Sequence, residues 1–144
     1  MQITTSLRRA AGFAFAIAIL GSTQVFAQST YQDMDAEWWT SLEQQLTESA
    51  ASEVAKVRQQ AIQHIIFFAE NYDEFVNFDE AAYEIMGRFE GSEDVSERLL
   101  ALAALSAIGE KMTIERLSVV AASAKSARVR GVAAAVIYAY NASS

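Results

Sequence analysis

Three stretches of this chain align without gaps. They are Val57-Arg58-Gln59-Gln60-Ala61-Ile62-Gln63-His64-Ile65, Glu97-Arg98-Leu99-Leu100-Ala101-Leu102-Ala103-Ala104-Leu105 and Val129-Arg130-Gly131-Val132-Ala133-Ala134-Ala135-Val136-Ile137. Each places Ala three residues after Arg, an apolar residue at four, and Ile or Leu at seven. Position ten is Phe68, Ile108 and Tyr140. Residues at these offsets lie one above another on an α-helix, so each stretch is predicted to bury one stripe. The arginines are 40 and 32 residues apart, a spacing at which stacked helix pairs recur.

Shorter amphipathic segments lie between. Phe78 to Phe89 puts Ala82, Ile85, Met86 and Phe89 on one side, and Thr113 to Ala122 does so with Ile114, Leu117, Val120 and Ala121. Asp79 and Thr113 are expected N-caps, because their side-chain oxygens can accept from free amides of a first turn. Gly91 and Gly109 are expected helix ends, where positive φ is common. The extra residues of the longer period fall in Asn71 to Asn77, read as a loop. Asp35 to Leu46 is a further helix with Trp38, Trp39, Leu42 and Leu46 on its apolar side. Thr47 to Ser52 joins it to the first arginine-led helix. Six helices result, arginine-led ones alternating with their partners. The repeat domain is expected over 35–141, after a flexible lead at 28–34 and before a frayed end at Asn141 to Ser144.

On these residues the chain resembles the HEAT-repeat family. The carrying stretches are Glu53-Val54-Ala55-Lys56-Val57-Arg58 with Ala61, Glu93-Asp94-Val95-Ser96-Glu97-Arg98 with Ala101, and Ser126-Ala127-Arg128-Val129-Arg130 with Ala133. The resemblance covers roughly residues 50–141. Lys125 stands where the other units have Glu, and the family's helix-breaking Pro is missing throughout. The resemblance implies an all-α fold, a short right-handed α-α superhelix of stacked helix pairs. It also implies protein binding or a scaffold role, and no reaction.

The 144 residues carry 11 Lys+Arg, 18 Asp+Glu, one His and no Cys or Pro. That length bounds the chain at about one domain. Without Cys there is no disulfide, thiolate metal site or Cys nucleophile. Residues 1–27 read as a secretory leader: Arg8 and Arg9, the apolar run Ala10 to Leu20, then Val25-Phe26-Ala27 ahead of a cut. The eleven-residue run reaches roughly 16 Å as a helix, about half a bilayer core. No later segment would span a membrane. The expectation is a periplasmic or secreted protein, cleaved near Ala27. Residues 28–97 hold 16 acids against Lys56, Arg58 and Arg88, net −13, whereas 98–144 hold Glu110 and Glu115 against six bases, net +4. So acidic a chain disfavours nucleic acid, which needs a basic footprint.

Chemistry-bearing patterns are sparse. His64 is alone between Ile62 and Ile65, and a lone His on a helix is read as a packing residue. Glu80 and Glu84 are one turn apart but lack a third ligand. There is no glycine-rich phosphate loop or nucleophile elbow, and no cofactor or metal is expected. Surface residues remain. Trp38 and Trp39 point about 100° apart on a helix, so at most one sits at the stripe's centre, and Trp is frequent at binding hot spots. Tyr83, Arg88, Arg116 and Val119 are the candidates on the partner-helix face. Arg58, Arg98 and Arg130, with Ala61, Ala101 and Ala133, are the structural repeat positions. The arginines are expected to bond carbonyls or an acid of the next layer as a ladder. The small alanines let helices approach closely. Val132, Val136, Tyr138 and Tyr140 on the last helix either end the stack or dock, for instance on a second copy as a homodimer. The expected function is an exported interaction or scaffold module without catalysis. The alternatives are a small helical enzyme or ligand-binding protein with a pocket near His64, and a plain helical bundle.

Overall fold

A computed structural model describes residues 31–144. The leader, its cut near Ala27 and the start of the expected lead lie outside the described residues. Six α-helices follow: α1 (Ala36–Ala50), α2 (Ala55–Asn71), α3 (Asp79–Gly91), α4 (Val95–Ile108), α5 (Lys111–Val120) and α6 (Ala127–Ser143), with a 3-10 turn at Ala121–Ser123 before α6. Among the described residues there is no strand, and no helix is long and apolar enough to cross a membrane.

The chain divides into two compact units, Met1–Leu42 and Glu43–Ser144. In the first, Tyr31 is 1% exposed and its ring lies 5.5 Å from that of Trp38. The end of the expected lead therefore carries a packed anchor. Asp35 accepts from the Trp38 amide at 2.8 Å, which satisfies one of the orphan donors of the first turn of α1.

In the second unit the three arginine-led helices pack in succession, α2 against α4 and α4 against α6. The intervening α3 packs on α4 and on α5, and α5 packs on α6. Ile62, Ile65 and Phe68 of α2, Leu102 and Leu105 of α4, and Val129 and Ala133 of α6 are buried in this arrangement, as are Ile85, Phe89 and Leu117 of α3 and α5. The alanines three residues after each arginine are all buried: Ala61, Ala101 and Ala133 are 3%, 1% and 0% exposed. The side chain is small there because another element stands against it.

Several boundaries differ from expectation. α1 runs on to Ala50, past the expected joint, because Leu46 and Ala50 continue its buried stripe. α5 begins at Lys111, two residues before the expected cap. Its N-cap is Glu110, whose carboxylate accepts from the Met112 and Thr113 amides at 2.9 and 2.7 Å. Thr113 is buried inside the helix and donates its hydroxyl to the Glu110 carbonyl. Asp79 lies inside α3 rather than at its cap, and Asn77 accepts from the Asp79 amide. Gly109 does adopt positive φ, +65°, at the end of α4, while Gly91 is the last residue of α3 without it. The longer first period is divided between a longer helix, 17 residues in α2 against 14 in α4, and the loop 72–78 against the two residues 109–110. That loop is tied down by buried Tyr72 and Phe78 and by the Asn77 amide, which donates to Glu43 at 2.8 Å. α6 stays helical through Ser143, beyond the expected frayed end.

Candidate functional site

Each arginine-led helix starts from the same joint. The residues four before the arginines, Val54, Asp94 and Ser126, are the N-caps, with extended backbone at φ −77, −73 and −74°. Six residues before each arginine a carbonyl turns back to its guanidinium. Arg58 Nη1 donates to Ser52 O at 2.7 Å, Arg98 Nε to Ser92 O at 2.5 Å, and Arg130 Nη1 to Ala124 O at 2.6 Å. This bond is the reason a long cation recurs at an otherwise apolar helix start: it satisfies a joint carbonyl that no helix can use.

The expected ladder between layers has one rung. Arg58, 8% exposed, gives its Nε and Nη2 edge to Glu97 of α4, each 2.7 Å from Oε1. Glu97 also accepts from the Ser92 hydroxyl at 2.5 Å. That hydrogen bond, and Arg58 beside it, hold the Glu97 carboxyl below the usual glutamate range against the opposing effect of burial. Arg98 finds no such acid, because the matching position of α6 is Val129; its guanidinium lies 5.3 Å from the centre of the Phe89 ring instead.

The candidate surface residues fall in two groups. Tyr83 of α3 and Arg116 of α5 line one depression of about 410 Å³ with Met86, Gly87, Glu90, Met112 and Thr113. Tyr83 donates to the Met112 sulfur at 3.6 Å, and Arg116 binds both oxygens of Glu90. Glu90 is held below, and Arg116 above, its ordinary pKa, chiefly by that hydrogen bonding. Partial desolvation and the carboxylates of Glu110 and Asp79 push the Tyr83 phenol up, so it stays a neutral donor. A second depression of about 440 Å³ shares Tyr83 and Gly87 and is walled by Glu53, Glu84, Arg88 and Glu97. Arg88 is engaged there, donating to Ala51 O and to Glu53. Gly87 connects the two because it has no side chain; a Cβ built there meets nothing within 4 Å.

Val119 is 79% exposed on α5, and Tyr83 50%. Trp38 is half-buried on Tyr31, whereas Trp39 is 4% exposed and belongs to the core, a correction to its expected place on the surface. His64 is half-buried and its pKa is lowered by desolvation. Among the described residues, no group of three His, Cys, Asp or Glu is placed to hold a metal ion. Met112, 63% exposed, is the groove residue that sequence reasoning missed, since the helix was expected to start one residue after it. Comparison with protein-family models, with characterised sequences and with solved structures finds no match to this chain.

Proposed function

We propose that this chain is an exported, HEAT-like interaction module, a short right-handed superhelix of stacked helix pairs that binds a protein partner without catalysing a reaction. Its partner face is the α3–α5 side. The observation that carries the reading is the groove between these helices, where Tyr83 and Met112 stand exposed over Met86 and Gly87. A flexible thioether beside an aromatic ring makes an adaptable apolar contact. The Arg116–Glu90 pair and Glu84 supply the polar rim that recognition surfaces carry around such a centre. The repeated joints support the stacked reading, because they start each arginine-led helix in the same way.

A photo-crosslinking residue at Tyr83 or Met112, with one at exposed Glu70 of α2 as control, tests this in the native host. One discrete protein adduct from positions 83 and 112, lost when Gly87 is replaced by Arg, is the expected result. Adducts that are absent, or identical from all three positions, would overturn it.

A further inference from the structure

We infer that the outward face of α6 is a second docking surface, which receives one further helix from a partner protein, and that this helix carries a carboxylate in its first turn. The inference is independent of the α3–α5 face. It rests on a comparison the molecule makes with itself. Arg58 divides its guanidinium: Nη1 goes to the joint carbonyl of Ser52, and the Nε/Nη2 edge to Glu97 in the first turn of the next helix. Arg130 adopts the same posture. Its Nη1 donates to the joint carbonyls of Ala124 and Lys125 at 2.6 and 2.9 Å. Its Nε/Nη2 edge has no hydrogen-bond partner among the described residues, and the residue is exposed where Arg58 is buried.

The surface beside Arg130 continues the same contrast. Ile62 and Leu102 are buried at the position four after the arginine, while Ala134 is exposed. Val132 and Tyr138 stand 36% and 77% exposed on the same helix. The planar edge of an arginine fits a carboxylate with two parallel donors, and small and apolar residues beside it suit a helix laid close. Charge points the same way: α6 contains Arg128 and Arg130 and no acid. A second α6 therefore cannot supply the carboxylate, which argues against pairing of two copies through this helix.

The probe is a peptide of this chain's own residues 92–109, whose Glu97 serves Arg58 within the fold. It is titrated into the isotope-labelled chain, with amide shifts as readout. Shifts confined to Arg130, Val132, Ala134 and Tyr138 and their neighbours are expected. Arg130→Glu in the protein, checked for folding by circular dichroism, should weaken binding at least tenfold. A Glu97→Gln peptide should do the same on the unaltered chain, and a Glu97→Arg peptide should regain affinity for the Arg130→Glu protein. Shifts centred elsewhere, an affinity indifferent to both substitutions, or the same shifts from acetate alone would overturn the inference.

Discussion

Glu97 is the one side chain that joins two layers through charge. It meets the Arg58 edge and the Ser92 hydroxyl, with side-chain exposures of 10% for Arg58 and 15% for Glu97. Removing one member of such a pair leaves the other charge without its partner in a dry place. Glu97→Ala should cost about 3 kcal/mol in denaturant melts, and Arg58→Ala a similar amount. The folded-state pKa of Glu97 is depressed, so its contribution is complete at neutral pH and is lost as pH falls through the ordinary glutamate value toward the lower folded one. Stability should therefore decline below about pH 4.5, near the unfolded value, and Glu97→Gln should make that decline shallower. Ala101 is 1% exposed between helices; Ala101→Leu should overpack it at a cost of about 1–3 kcal/mol. The small alanine and the arginine were both legible as repeat positions. The single rung was not, because whether the next layer answers an arginine depends on one residue, Glu97 in one case and Val129 in the other.

At the scale of the element, two glycines separate propensity from conformation. Gly131 lies inside α6 with nothing within 4 Å of a built Cβ. Gly131→Ala should stabilise by about 0.5–1 kcal/mol by restricting the unfolded chain. Gly109 also has open space, but its φ is +65° and its amide closes α4 on Leu105 O at 2.9 Å. Gly109→Ala should instead destabilise by about 1 kcal/mol, the left-handed penalty alone. Thermal midpoints of the two variants should move in opposite directions. Helix interiors were readable from the apolar stripe; helix starts were not. Glu110 caps α5 with both oxygens, so an acid ahead of the stripe did the work expected of Thr113. That shift of two residues also concealed Met112 at the mouth of the groove.

For the molecule as a whole, stability should be graded along the array of arginine-led helices. α4 touches α2, α3 and α6, whereas α6 touches α4, α5 and the 3-10 turn before it. In a linear array each layer is held by its neighbours alone. Native-state hydrogen exchange should show α4 amides opening only with global unfolding, and the amides after Val136 in α6 opening locally at lower free energy. The number and succession of helices could be read from the sequence, since a stripe that no single helix can bury demands neighbours. Which faces stayed bare could not, because exposure follows from what stands alongside.

The three joints carry one further consequence. Residues 52–54, 92–94 and 124–126 meet their helices with nearly the same backbone and the same returning arginine bond. A genetic crossover that splices one of these points onto another leaves a sound helix start on both sides. Such a gene is able to gain or shed a block of 40 or 32 codons, the two spacings of its arginines, with no loop having to evolve anew.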